Sequence, residues 1–194
     1  MPVWNPEIAP VSTTQPMADR IALVFDRCFA DPKGFNTRLC GGYFEPYYRP
    51  AGGSQRHHQV EFTRGYAASA LHEAAHWCLA GEARRRLPDY GYWYLPDGRS
   101  AEQQAAFEEV EVRPQALEWV FARACGLRFR VSSDNLYSGL GPSDSFKVAI
   151  WARVREYCHK GANARARAFA RALACEFGRP DPFSAGIYQL ADLS

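Results

Sequence analysis

YAASALHEAAHWCLA, residues 66–80, is followed by Gly81, and its reading decides the fold. Apart from Ser69, His72, Glu73 and His76, every residue in it is apolar or aromatic. A helix apolar on nearly all sides is a helix buried in a core. His72 and His76 are four residues apart, so on a helix they stand one turn apart on the same face, and both imidazoles can reach one metal ion. Burying two imidazoles and the Glu73 carboxylate is costly unless they are paired or hold a metal. The bland alternative is two core histidines satisfied by backbone carbonyls, with Glu73 as their partner. The His-Glu-x-x-His spacing favours the metal.

The rest of the chain reads as support for that helix. Its 194 residues suit one domain, and 47% hydrophobic with 14% aromatic residues suffice for a core. Lys and Arg total 23 against 21 Asp and Glu, a net charge of +2. That balance demands no nucleic-acid partner. Six cysteines (Cys28, Cys40, Cys78, Cys125, Cys158, Cys175) form no Cys-x-x-Cys pair. They read as small apolar residues in a reducing compartment. MPVWNPEIAPVSTTQPM, residues 1–17, has neither a basic leader nor an apolar stretch and is expected to be a loose arm. No apolar run reaches membrane-spanning length. A cytoplasmic protein with no membrane partner is expected, with residues 18–194 forming one domain.

Residues 18–30 place Ile21, Val24, Phe25, Cys28 and Phe29 on one helical stripe. Residues 31–58, rich in Gly, Pro, Tyr and Arg, suit loops with short extended pieces. Residues 59–63, QVEFT, alternate as a short strand. Thr63 is expected to cap the helix that follows, and Gly81 to end it. Arg84, Arg85 and Arg86 read as a solvated helix end, or else as a docking point for an acidic partner. Residues 101–125 read as a helix that Pro114 kinks or divides. Residues 132–142 suit a loop, and two closing helices fall at 145–157 and 162–177, the last with Phe169, Leu173 and Phe177 in step. The expected class is α+β, mostly α, with minor strand content.

Two histidines need a third ligand. The position six residues after His76 holds Glu82, so a three-histidine set is absent. His57, His58 and His159 have no helical relation to the motif. The acidic run 107–112, FEEVEV, is a better source. With Phe107, Val110, Leu117, Phe121 and Ala124 facing inward, Glu111 lies at the edge of the buried face and Glu109 points away. Glu118 also has a favourable direction. Two histidines and a carboxylate fit zinc, with Glu73 as the general base of a peptidase, or Fe(II), with open positions for oxygen chemistry. The motif alone favours the peptidase.

Longer stretches narrow the choice. CFADPKGFNTRL at 28–39, GYAASALHEAAHWCLAGEARRRL at 65–87, DYGYWYLPDGRS at 89–100, FEEVEVRPQALEW at 107–119 and SSDNL at 132–136 together resemble the bacterial elongation factor P hydroxylases. The resemblance is weak in the arm of residues 1–17 and after about residue 142. It implies a zincin-like fold and a metal site of His72, His76 and Glu111. It implies Fe(II), or another divalent metal such as Zn in purified protein, with O2 as co-substrate. It implies hydroxylation of the β-lysylated lysine of elongation factor P in the cytosol. Glu73 matches the family too, as a catalytic residue or as a support for the histidines. The chain shows no His-x-Asp pattern of a 2-oxoglutarate clamp. A long cationic substrate suits aromatic faces and carboxylates, so Tyr90, Tyr92, Trp93, Tyr94, Asp97 and Asp134 are candidates for contact. A module that binds the translation factor without catalysis is the third reading.

Overall fold

The protein is described by a computed structural model over residues 15–91, 99–133 and 141–193. Among the described residues five α-helices carry it: α1 Met17–Phe29, α2 Ala67–Leu79, α3 Ala101–Cys125, α4 Asp144–Lys160 and α5 Ala164–Glu176. Between α1 and α2 lie three strands, β1 Thr37–Tyr43, β2 Tyr47–Arg49 and β3 His58–Thr63. The sheet order is β1-β3-β2, with β1 parallel and β2 antiparallel to β3. This is a mostly helical α+β arrangement. No described helix is long and apolar enough to cross a membrane.

The central strand departs from simple alternation. Val60, Glu61 and Phe62 are all buried, and Glu61 is satisfied by Arg49 Nε at 2.6 Å across the β2 edge. Only glycine fits at Gly41 of β1. A Cβ there would lie 2.6 Å from Cζ of the Phe62 ring and 2.9 Å from the Arg64 carbonyl oxygen.

The core is an aromatic knot around α2. Trp77 packs against Phe29 (ring centroids 4.7 Å), Phe25 (5.0 Å) and Phe35 (5.4 Å). Phe169 of α5 bridges Phe25 (5.3 Å) and Phe121 of α3 (4.9 Å). The stripe expected on α1 is buried at Ile21, Val24, Phe25 and Phe29, with Cys28 half-buried. The cysteines are all free; Cys78 and Cys125 are buried and Cys175 is exposed.

Several local expectations are corrected. Thr63 does not cap α2; it ends β3, and a turn through Arg64 (φ 49°) and Gly65 intervenes. The N-cap is Tyr66, without a side-chain hydrogen bond, and the Thr63 amide instead donates to Ser69 Oγ at 3.0 Å. At the other end Ala80 turns extended. The carbonyls left open there are met by side chains from far along the chain. Arg165 Nη2 donates to the carbonyls of Cys78 (2.9 Å) and Ala80 (2.6 Å), Asn163 Nδ2 to Cys78 (2.8 Å) and Arg85 Nη1 to Ala80 (2.6 Å). Positive charge at a helix C-terminus also complements its dipole. Arg85 is therefore turned inward, while Arg86 pairs with Glu82 at the surface.

α3 runs unbroken through Pro114. A capping box of Ser100 and Gln103 starts it, and Gly126 (φ 73°) ends it in left-handed backbone. The chain ends are stitched together by Glu176 of α5, which accepts from Arg20 (3.2 Å) and Arg27 (3.3 Å) of α1.

Candidate metal centre

α2 and α3 pack side by side, and the site lies between them. His72 Nε2 and His76 Nε2 are 3.1 Å apart, one turn apart on α2 as their spacing requires. From α3, Glu111 places Oε1 3.2 Å from His76 Nε2 and Oε2 3.7 Å from His72 Nε2. Ligands about 2.0–2.2 Å from one shared ion stand roughly 3.0–3.5 Å apart, so the triangle has the right size. The Glu111 side chain is 3% exposed, but His72 and His76 retain 19% and 14%. The site thus opens to solvent on the histidine side, as a catalytic rather than a structural centre requires.

The supports are as telling as the ligands. His72 Nδ1 donates to Glu118 Oε2 at 2.9 Å. That bond places the proton on Nδ1 and leaves the Nε2 lone pair for a metal. Gln115, fully buried, donates to Glu111 Oε2 at 3.5 Å and to the Ser132 carbonyl at 2.8 Å, and accepts from the Ser132 amide at 3.1 Å. It orients Glu111 and ties the 132–133 segment to α3. Gln104, Glu108, Glu111, Gln115 and Glu118 form a polar seam with alternating steps of four and three residues. Each member has a partner: Gln104 and Gln115 hold Ser133 and Ser132, Glu108 holds Ser143, and Glu111 and Glu118 hold the histidines.

That seam corrects the expected inward face. Val110 is 53% exposed and Phe107 only half-buried, although Leu117, Phe121 and Ala124 are buried as expected. The front half of α3 lines a polar site, so its buried face is written in Gln and Glu. The step pattern was the available signal, and an apolar reading passes over it. Glu118, weighed above as a ligand, instead braces His72. His57 and His58 lie elsewhere: His57 Nδ1 meets Asn36 Oδ1 at 2.7 Å, and His58 Nδ1 accepts from the Ala51 amide at 3.0 Å. Tyr92, Trp93, Tyr94, Asp97 and Asp134 fall outside the described residues. Tyr90 is buried and stacked on Tyr48, centroids 4.4 Å apart.

Charge explains what the cluster wants. Burial pulls the Glu111 pKa up, but the charges of His76 and His72 and the hydrogen bonds of His76 and Gln115 outweigh it and hold it at about 2. Burial pulls His72 down, yet the Glu118 hydrogen bond and the charges of Glu118, Glu111 and Glu73 raise it well above its ordinary value. Burial raises both Glu73 and Glu118. Three carboxylates thus crowd two imidazoles, and a divalent cation at the Nε2–Nε2–carboxylate triangle relieves the excess.

Two outcomes follow. A raised His72 pKa stabilises the metal-free fold below the unfolded value of 6.5, and the contribution is lost as pH rises through the folded value. The raised Glu73 and Glu118 act in the same direction, while the Glu111 contribution fails only as pH falls toward about 2. Chelator-treated protein should therefore melt at a higher temperature at about pH 6 than at about pH 8.5. Metal affinity should rise over the same interval, because a proton on His72 Nε2 competes with the ion. Glu118→Gln should weaken metal binding about 10–100-fold, as loss of an outer partner does, without changing the ligand count seen by X-ray absorption.

Comparison with known proteins identifies the family. The family model for elongation factor P hydroxylase matches residues 24–186. The elongation factor P lysine hydroxylase of Haemophilus influenzae is 46% identical over 161 residues, 83% of this chain and 89% of that protein. The match runs well past residue 142, where the resemblance was expected to fade. The chain belongs to the elongation factor P hydroxylase family.

Proposed function

We propose that this protein hydroxylates a lysine of elongation factor P at a metal centre formed by His72, His76 and Glu111. The observation that carries the reading is the convergence of those three side chains, their ligand atoms within 4.8 Å of one another, inside the segment shared with the hydroxylase family. The finer reading is that the substrate lysine is already β-lysylated, that the metal is Fe(II) and that O2 is the co-substrate. Residues 18–194 act as one zincin-like hydroxylase domain, with residues 1–17 an arm ahead of it, in the cytoplasm.

The protein's own part is positional. His72 and His76 present their Nε2 atoms, and Glu111 presents a carboxylate whose pKa, against the pull of burial, the neighbouring histidines hold at about 2. Glu118 fixes the His72 ring, and Gln115 fixes Glu111. Glu73, raised by burial and sensitive to the charge of both histidines, holds or releases a proton beside the ligands. Fe(II) in this two-histidine, one-carboxylate set supplies oxygen activation when bound. Tyr92, Trp93, Asp97 and Asp134 remain the proposed contacts for the long cationic side chain. Arg85 is turned inward, Arg84 donates to the Tyr90 carbonyl and Arg86 pairs with Glu82, so an acidic surface on the factor would compete with those contacts for Arg84 and Arg86.

Placing one atom of O2 in a C–H bond and releasing the other as water consumes two electrons and two protons, so the assay needs a reductant. The test is the intact mass of β-lysylated elongation factor P after incubation with the protein, Fe(II), ascorbate and air. A gain of about 16 Da, absent with His72→Ala, supports the reading. No gain by metal-loaded protein sinks it.

A further inference from the structure

At the C-terminal end of α3 lies a cavity of about 620 Å³, and none of the residues lining it is a ligand or a brace of the metal centre. Trp119 and Phe129 form its apolar side, stacked with ring centroids 5.6 Å apart. Pro180 and Pro182, from the segment after α5, close it opposite. Three arginines line it: Arg123, Arg128 and Arg179. The walls are fixed by their own bonds. The Arg179 amide donates back to the Ala174 carbonyl of α5 at 2.8 Å. The Tyr188 hydroxyl donates to the Pro182 carbonyl, and its ring stands edge-on to Trp119 at 5.1 Å. A Cβ on Gly126 would fall on the Arg179 guanidinium. The glycine that ends α3 is therefore also what lets that group lie against the helix end.

Like charges gathered around one cavity repel unless an opposite charge joins them. The lining supplies one carboxylate, and it is already engaged. Asp192 Oδ2 accepts from Arg123 Nη2 at 2.6 Å and from the Gln189 amide at 3.1 Å. The nearby acids are spent elsewhere: Glu176 on Arg20 and Arg27, and Asp181 on the Phe183 amide at 3.0 Å. Among the described residues neither Arg128 nor Arg179 forms an ion pair, and Arg123 Nε is buried without a hydrogen-bond partner. Arg128 and Arg179 are exposed, so a ligand can reach them. Three guanidinium charges less one carboxylate leave the cavity at +2. A phosphate monoester carries a charge of about −1.5 to −2 at pH 7, and its oxygens match the planar fork of arginine. The volume is more than a bare phosphate fills and falls within the roughly 300–1,000 Å³ of small-ligand sites. The rest of the lining, including Leu127 and Ile187, is suited to a carbon body. We propose that this cavity binds a small phosphate monoester, its phosphate held by Arg123, Arg128 and Arg179 and its body on the side of Trp119 and Phe129.

The experiment titrates the full chain with phenyl phosphate and with inorganic phosphate by isothermal calorimetry, before and after chelation. Phenyl phosphate should bind one-to-one with a Kd below about 1 mM, and about 10-fold tighter than inorganic phosphate. Chelation should leave that binding in place, because the metal centre has no share in it. Arg128→Gln and Arg179→Gln should each weaken it about 10-fold or more, the size of a lost hydrogen bond to a charged group. Arg86→Gln, on a surface arginine paired with Glu82, should bind as the wild type does. Both cavity variants change exposed positions, so their melting temperatures should stay within a few degrees of wild type. Equal affinity for the two probes, or full affinity in both cavity variants, overturns the proposal. So does binding that disappears on chelation, or no saturable binding below about 10 mM.

Discussion

Glu111→Ala should strip the metal and reduce hydroxylation by more than about 100-fold, beyond the roughly 10–100-fold expected for losing an outer partner. Glu109→Ala, two residues away, should leave both at wild-type level. The contrast is geometric. Glu111 sets one oxygen 3.2 Å from His76 Nε2 and the other 3.7 Å from His72 Nε2, whereas Glu109 is exposed on the far side of α3. Two imidazoles alone leave the charge of a divalent ion unbalanced where the third ligand has been replaced by a methyl that cannot coordinate. Metal content by elemental analysis, read beside activity, makes the comparison. Equal metal in the two variants would remove Glu111 from the ligand set.

Trp77→Ala should cost about 3–5 kcal/mol of stability, the range for deleting a large aromatic from a close-packed core. Trp77 is fully buried among Phe25, Phe29 and Phe35, and the guanidinium carbons of Arg165 and Arg85 lie 5.0 and 6.0 Å from its ring centroid. Those two arginines also close the C-terminal carbonyls of α2, so the cavity loosens the cap as well as the knot. The melting temperature should fall by about 6–20 °C in a chain of this size. Val110→Ala, on an exposed position, should move stability by no more than about 0.5 kcal/mol. Urea unfolding of both variants decides the matter, and a Trp77→Ala loss below about 1 kcal/mol would show that the knot does not brace α2.

What could be read from residue order was what repeats at short range. The stripe of α1 and the apolar body of α2 follow from spacing alone, and so does the shared face of His72 and His76. Glu111 could be favoured on direction but not separated from Glu118, because both lie on the seam that faces α2. Their roles divide only when α2 is laid against α3 and one nitrogen of His72 meets each. The polar seam itself was misread because burial was equated with apolarity. Thr63 was assigned a cap on chemical type, yet the turn at Arg64 and Gly65 carries it back into the strand. The capping of Cys78 and Ala80 by Asn163 and Arg165 joins residues with no local relation, and no window of sequence contains it.

That long-range closure has a consequence for how the enzyme is born. When α2 leaves the ribosome, two of the three side chains that finish its C-terminus, those of Asn163 and Arg165, are still 85 positions from being made. At about 5–20 residues per second, they arrive roughly 4–17 s later. Until then the histidine pair sits on a helix with open carbonyls, and Glu176 has not yet clasped α1. A nascent chain stalled before residue 163 should hold metal poorly even though every ligand has already been translated. On the proposed ligand set, loading of an ion thus waits for the synthesis of α5.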